Sequence, residues 1–152
     1  MQHLMVHATS LPAPGSPATM INADSVSRFY GSETQRVTAV ADLGMSVERG
    51  ERVSIIGRSG SGKSTLLNLL AGLDRPSKGT LTVDGHNLHA LTRTQMAEYR
   101  LQTIGIIFQA FQLIPQRSAL QNVELPLIMA GVPRNERKLR AAEWLSRVGL
   151  RH

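Results

Sequence analysis

Short runs of residues that alternate between apolar and polar, or that are wholly apolar, are separated by turn residues and predict a series of strands along the chain. Residues 21–30 and 37–47 have the composition and pattern of half-buried strands. After a polar turn, the apolar residues 52–56 predict a short strand that ends directly in glycine. Residues 81–85 alternate and then end in an Asp-Gly turn signal, and the apolar residues 104–108 are predicted to form another buried strand.

Three helices are predicted from apolar spacing and from residues that begin and end helices. Leucines follow the third predicted strand at helical spacing, and Gly72 marks the natural end of that helix. A second helix is predicted from Thr92, which can cap it, through Arg100. A third is predicted from Pro133 through Val148. The leucines of the first helix are Leu66, Leu67, Leu69, Leu70 and Leu73, and one face of the third carries Leu139, Ala142, Leu145 and Val148.

The first nineteen residues have the composition of a tail without a fold. They contain Pro12, Pro14 and Pro17 among Ser, Thr and Ala, which favours an extended and poorly ordered segment. Because the strand-like pattern starts directly after Met20, we hypothesise that translation begins there. A peptide from residues 2–15 in the mass spectrum of the mature protein would refute this hypothesis.

Composition predicts one globular domain. The 152 residues are 41% hydrophobic, but no apolar run approaches the roughly 20 residues that cross a bilayer. The N-terminal region lacks the pattern of a secretory signal, and there is no cysteine for disulfides or thiolate chemistry. We therefore expect the chain to work in the cytosol.

The formal charge of +6 is compatible with nucleic acid, anionic lipid or a phosphorylated ligand, and does not choose among them. Residues 134–151 carry six basic and two acidic side chains, which we interpret as the solvated face of a helix, with contact to a partner or lipid headgroups as the alternative. An aromatic content of 4% argues against a base-stacking surface, so no nucleic-acid partner is expected.

Residues 57–65 read Gly-Arg-Ser-Gly-Ser-Gly-Lys-Ser-Thr and fill every fixed position of the pattern G-x-x-x-x-G-K-S/T. Glycines let the backbone turn tightly, so that successive N–H groups approach phosphate oxygens. The following helix directs its positive end at the same anion. We therefore predict that the loop binds the triphosphate of ATP through Gly57, Ser59, Gly60, Ser61, Gly62, Lys63, Ser64 and Thr65.

Within this loop Lys63 is expected to reach the β- and γ-phosphates, and the Ser64 hydroxyl to coordinate Mg²⁺. Thr65 is expected to add a further phosphate contact. A glycine-rich turn that contains Lys and Ser by chance is the alternative. The loop's position between a predicted strand and an apolar helix favours phosphate binding.

Further motifs lie on both sides of the loop. Residues 27–31 read Ser-Arg-Phe-Tyr-Gly, residues 72–76 read Gly-Leu-Asp-Arg-Pro, and residues 106–109 read Ile-Ile-Phe-Gln. With these motifs, residues 26–127 resemble the nucleotide-binding domain of ATP-binding cassette (ABC) transporters. The runs 111–115 and 119–127, with 72–76, resemble the subgroup that serves macrolide export and lipoprotein release; Arg58 departs from it, since Pro is common there.

The resemblance implies roles for two residues outside the loop. Tyr30 matches an aromatic residue that stacks on adenine, whereas a tyrosine considered alone more often serves packing. Gln109 matches the Q-loop glutamine, which contacts Mg²⁺ and the attacking water and relays to the membrane subunit. A glutamine at a strand end is otherwise usually just solvated.

The resemblance also implies an architecture and partners. The expected fold class is α/β, a P-loop NTPase core with an N-terminal antiparallel β-subdomain and the start of a helical subdomain, together an incomplete ABC ATPase domain. Residues 20–152 would be the N-terminal part of that domain, with the helical subdomain starting over 115–150. Two such domains sandwich ATP and act on an integral membrane permease, which implies a cytoplasmic position on the inner face of the membrane.

Motifs that the family needs for hydrolysis do not occur in the sequence: the signature Leu-Ser-Gly-Gly-Gln, the acidic pair after a second buried strand, and the switch histidine. Asp42, Asp84, His86 and His89 lie in the wrong places to replace them. We therefore expect the chain alone to hydrolyse ATP poorly or not at all, and to be poorly soluble because of an open sheet edge.

Three alternatives to a transporter ATPase subunit stay open. A truncated, non-catalytic remnant would bind nucleotide weakly or be unfolded. A soluble ABC-type protein of DNA repair or translation would fit the basic charge, but the region around Gln109 disfavours it. Kinases and GTPases lack the order of Tyr30, Lys63 and Gln109.

Overall fold

The computed structural model describes the backbone of residues 5–9 and all atoms of residues 19–150. These residues form two compact units, which divide between Ile104 and Gly105. No helix within the described ranges is long and apolar enough to cross a membrane.

An antiparallel sheet of four strands organises the first unit. It consists of β2 (Thr19–Tyr30), β3 (Val37–Glu48), β5 (Lys78–Val83) and β6 (His86–Asn87), in the order β3-β2-β5-β6. These ranges confirm the strands predicted at 21–30, 37–47 and 81–83. Asp84 and Gly85, both with positive φ (46° and 78°), form the tight turn between β5 and β6 that the Asp-Gly signal predicts.

The core of this unit lies on one side of the sheet. Apolar side chains of β2 and β5 meet at aligned positions, because Ala23 pairs with Leu81 and Ile21 with Val83. Two helices contribute the remaining side chains of this core: α1 (Lys63–Leu70) and α2 (Arg93–Gln102). The buried cluster comprises Ala23, Val26, Val40, Leu69, Leu81, Val83, Leu88, Met96 and Tyr99.

Strand β4 (Arg52–Ile56) has the predicted bounds and pairs antiparallel with β1 (Met5–Thr9). The tail over residues 1–19 is predicted to lack a fold, whereas the structure places a strand within it. The physical reason is that β4 offers an edge of unpaired backbone groups, and an extended segment satisfies them. The remainder of that predicted tail, up to residue 18, lies outside the described residues.

The predicted end of the first helix and the predicted start of the second are confirmed, whereas the second helix continues past the predicted end at Arg100 to Gln102. Helix α1 stops at Leu70, and Gly72 follows in the left-handed region with φ 64°. Thr92 caps α2 through a reciprocal capping box with Gln95.

The second unit contains α3 (Ala119–Met129) and α4 (Arg134–Arg147), which contact each other. Helix α4 begins after Pro133 and ends before Val148, as predicted. Its predicted apolar face is mostly exposed: Leu139 is 74% and Val148 69% exposed, Leu145 is partly buried, and the fully buried residue is Ala141.

The prediction of a buried strand at residues 104–108 is wrong. The segment has no regular secondary structure. Ile106 is 40%, Ile107 101% and Phe108 50% exposed. A buried strand needs neighbours on its edges and faces, and no strand in the described part of the chain pairs with this one.

Candidate functional site

The loop between β4 and α1 is shaped by glycines. Gly60 and Gly62 have φ of 77° and 93°, a region that side chains disfavour. A Cβ at Gly62 would also overlap the carbonyl oxygen of Ala39 on β3. The absence of a side chain at Gly62 thus lets the loop lie directly against the sheet.

The first turn of α1 differs from those of α2 and α3. The latter two helices have reciprocal capping boxes, formed by Thr92 with Gln95 and by Ser118 with Gln121. The N-cap of α1 is Gly62, which offers no side chain to cap the helix. Its leading N–H groups and the positive end of its dipole are therefore available to an anion.

Two polar side chains lie inside the loop. The Lys63 ammonium donates to the carbonyl oxygens of Gly57 and Arg58, both at 2.7 Å, and so lies across the loop mouth. The Ser61 hydroxyl oxygen is buried without a hydrogen-bond partner among the described residues. An orphaned buried hydroxyl and a cationic side chain in an anion-binding turn both fit an oxygen-rich ligand.

Donors for a metal ion are few. No group of three or more His, Asp or Glu side chains within residues 19–150 could hold a metal. The exposed Ser64 hydroxyl, at the start of α1, is the loop donor that suits Mg²⁺, an ion that binds few protein ligands alongside phosphate oxygens.

Tyr30 lies at the end of β2 and is held by residues that the sequence did not indicate. Its hydroxyl donates to Asp74 Oδ2 at 2.6 Å, and the Arg28 guanidinium lies over its ring, 4.5 Å from the centroid. Arg28 in turn forms a salt bridge with Asp74, through Nε and Nη2, each at 2.8 Å. Tyr30 as a whole residue is 39% exposed.

The charges in this cluster stabilise each other. Partial burial opposes ionisation of Asp74, but bonds from the Tyr30 hydroxyl, the Arg75 N–H and the Arg28 guanidinium hold its pKa below the ordinary value. Burial likewise opposes the charge on Arg28, whereas Tyr30 and Asp74 raise its pKa. Asp74 is therefore a carboxylate, and an acceptor of hydrogen bonds, at neutral pH.

Strand β3 connects Tyr30 to the phosphate loop. Tyr30 pairs with Val37, and Ala39, whose carbonyl lies against Gly62, is two residues further along the same strand. Two residues of a strand span about 7 Å. The exposed aromatic ring and the glycine loop thus lie on one short stretch of the sheet.

Within the first unit, the structure brings the predicted site residues together. The residues of 57–65 form one turn beside β3, with Tyr30 nearby. Gln109 lies in an exposed bend of the second unit, and the strand predicted to precede it is not present.

Sequence reasoning missed the contacts of Arg28 and Asp74 with Tyr30. Asp74 is 44 residues from Tyr30 in the chain, so no local pattern could reveal the contact. A weak signal was available for Arg28, because alternate residues of a strand share a face.

A strand that runs into a glycine loop and then into an uncapped helix defines a P-loop nucleotide-binding fold. The ABC transporter family profile matches residues 40–152. The chain belongs to the ABC transporter family.

Curated relatives agree with this assignment. The chain is 42% identical over 131 residues to the macrolide export ATP-binding/permease protein MacB of Burkholderia lata, covering 86% of the chain and 19% of the relative. It is 40% identical over 139 residues to the lipoprotein-releasing system ATP-binding protein LolD of Chromohalobacter salexigens, covering 91% of the chain and 59% of the relative. The chain therefore spans only part of the length of these relatives.

A solved structure shares the fold. The dimeric ATP-binding cassette MJ0796, in a post-hydrolysis state bound to ADP and Pi, has a TM-score of 0.68 and 33% sequence identity. The similarity covers 84% of this chain and 56% of that one. The predicted fold class, a partial P-loop ATPase domain of the ABC type, is confirmed.

Proposed function

We propose that this chain binds Mg-ATP as part of the ATPase subunit of an ABC transporter of the macrolide-export and lipoprotein-release type. The observation that carries the proposal is the uncapped N-terminus of α1, placed behind the turn at Gly62 with Lys63 across its mouth. Such a turn recognises a polyanion, and the names of the related proteins specify ATP for them.

The backbone of the loop, three of its side chains and Tyr30 have separate roles in this proposal. The N–H groups of the loop and of the first helical turn bind phosphate oxygens, and Ser61 finds there the partner that its buried hydroxyl lacks. Lys63 exchanges its two carbonyl contacts for phosphate oxygens and balances their charge. Ser64 holds Mg²⁺, and Tyr30 stacks on the adenine.

The bound nucleotide supplies a γ-phosphoryl group whose transfer depends on positioning and on charge stabilisation. Lys63 and Ser64 provide part of that stabilisation. The role that the family resemblance gives to Gln109 stays a prediction.

We assign residues 20–152 to the N-terminal part of an ABC nucleotide-binding domain, with residues 115–150 as the start of its helical subdomain. In this assignment the domain pairs with a second nucleotide-binding domain and acts on an integral membrane permease. It works on the cytoplasmic face of the membrane.

Calorimetric titration of the chain with Mg-ATP tests the proposal. We expect Lys63→Ala to weaken binding by about tenfold to hundredfold, the effect of losing charged hydrogen bonds. Lys138→Ala removes an exposed lysine of α4 and serves as the control, with no change expected. Absence of binding by the folded wild-type chain, or equal losses in both variants, would refute the proposal.

Hydrolysis by the 152-residue chain is expected to be slow or absent, as in the remnant alternative, because the site residues described supply only part of the required charge stabilisation. Phosphate release with and without Mg²⁺ measures it. Magnesium-dependent turnover that Lys63→Ala abolishes would show that the chain is a complete catalyst.

A further inference from the structure

Asp74 joins parts of the first unit that are far apart in sequence. Its carboxylate accepts hydrogen bonds from the Tyr30 hydroxyl at 2.6 Å, from Arg28 at 2.8 Å and from the backbone N–H of Arg75 at 2.7 Å. Arg28 and Tyr30 belong to β2, whereas Asp74 lies four residues beyond the end of α1.

Further contacts fix the same cluster. Arg28 donates to the Ser77 hydroxyl oxygen at 3.3 Å, and that oxygen also accepts the N–H of Phe29 at 3.1 Å. The Arg28 guanidinium covers part of the Tyr30 ring, 4.5 Å from its centroid. The hydroxyl of Tyr30 is thus bonded to a carboxylate, while the residue stays 39% exposed.

We propose that Asp74 is a positioning residue for nucleotide binding, which holds the Tyr30 ring in one orientation so that a purine base can stack on it. The inference rests on the proposed function of the phosphate loop. Asp74 acts through the Tyr30 hydroxyl and through Arg28, and itself touches neither phosphate nor metal.

Preorganisation is the physical reason. A free tyrosine side chain loses rotamer freedom when a base stacks on it, and a ring already held by Asp74 and Arg28 has lost that freedom in advance. Loss of the contacts that Asp74 makes with Tyr30 and Arg28 should weaken the binding of ligands that carry a base. Binding of the bare polyphosphate should stay unchanged.

Titration of the chain with Mg-ATP and, separately, with magnesium tripolyphosphate distinguishes the two contributions. Asp74→Asn keeps one oxygen for the Arg75 N–H but loses the charge and one acceptor. We expect affinity for ATP to fall about threefold to tenfold, the effect of one newly immobilised side chain, and affinity for tripolyphosphate to stay the same.

Tyr30→Phe keeps the ring and removes the hydroxyl without touching the Arg28–Asp74 salt bridge, so it tests the inference even if Asp74→Asn does not fold. We expect it to reproduce the loss for ATP. The double variant should lose no more than the larger single loss, because both changes break the same contact.

Asp84→Asn is the matched control. It removes a carboxylate that pairs with Arg49 near the other end of the sheet, and asparagine tolerates the positive φ at that position. Both affinities should remain those of the wild type.

Equal losses for ATP and tripolyphosphate in Asp74→Asn would overturn the inference, since a merely structural role would affect both ligands. Unchanged ATP affinity in both Asp74→Asn and Tyr30→Phe, or additive losses in the double variant, would also overturn it. A wild-type chain that binds neither ligand would instead refute the proposed function.

Discussion

At Gly62, two separate constraints exclude a side chain: a φ of 93° and the nearby Ala39 carbonyl. We predict that Gly62→Ala lowers the free energy of unfolding by about 3 kcal/mol, the sum of backbone strain and overpacking, and abolishes ATP binding. Chemical denaturation and calorimetry measure the two effects.

Gly50→Ala is the control, because Gly50 has a similar φ of 84° but open space around it. It should cost only the backbone strain, about 1–2 kcal/mol. Equal losses at the two positions would show that the contact with Ala39 is unimportant.

A second residue, Tyr99, makes stability depend on alkaline pH. Its hydroxyl donates to the Leu70 carbonyl at 2.6 Å, and burial, aided by the negative charge of Asp84, raises the pKa of Tyr99 to about 12. Since this value exceeds the ordinary value of about 10, the contribution of neutral Tyr99 to stability is complete below about pH 10 and is lost as pH rises through about 12.

Denaturation at a series of pH values should therefore show the wild type losing stability faster than Tyr99→Phe between about pH 10 and 12. At neutral pH the variant should be less stable by about 1 kcal/mol, for the lost hydrogen bond. Parallel pH profiles would contradict the assigned cause.

Residue-level prediction from the sequence succeeded where the signal was local. The loop of 57–65 was recognisable from nine consecutive residues. In the structure it lies between the predicted strand and the predicted helix. The support of Tyr30 by Asp74 could not be predicted, because only the folded sheet brings together residues 44 positions apart.

At the scale of elements, the helices differ in how their first turns are capped. The Thr92 side chain caps the first turn of α2, whereas no side chain caps the first turn of α1. We predict that Thr92→Ala lowers the free energy of unfolding by about 1 kcal/mol and leaves ATP affinity unchanged.

Thr94→Ala, at an exposed position of the same helix, should have almost no effect on unfolding. Helix propensity favours alanine over threonine, so a loss at Thr94 as large as at Thr92 would contradict the cap as the cause.

The success and failure of the element predictions have one physical origin. Turns and caps depend on a few neighbouring residues, so the Asp84-Gly85 turn, the cap at Thr92 and the start of α4 were predictable. A strand exists only when another strand pairs with it. The apolar residues 104–108 have no such partner in the described part of the chain, and β1 forms because β4 provides one.

At the scale of the whole molecule, exposed apolar surface is concentrated in the second unit. Ile107, Phe111 and Leu113, which lie close together in the sequence, are 101%, 92% and 63% exposed. Monomeric proteins seldom expose large areas of apolar surface. We predict that the chain self-associates as its concentration rises, which light scattering and sedimentation velocity measure.

The double variant Ile107→Ser, Phe111→Ser should reduce that association, whereas Gln116→Ser, at an exposed polar position of the same unit, should not. A wild-type chain that stays monomeric throughout would contradict the prediction.

The salt bridge of Arg28 with Asp74 has a consequence for how the sequence can vary in length. The connector of three residues between Leu70 and Asp74 sets the distance from helix α1 to the tyrosine. One inserted or deleted residue there would carry the carboxylate away from the phenol while leaving the glycine loop intact. Selection for nucleotide binding should therefore tolerate changes of length in the exposed hairpin loop at residues 32–36 and remove them from the connector.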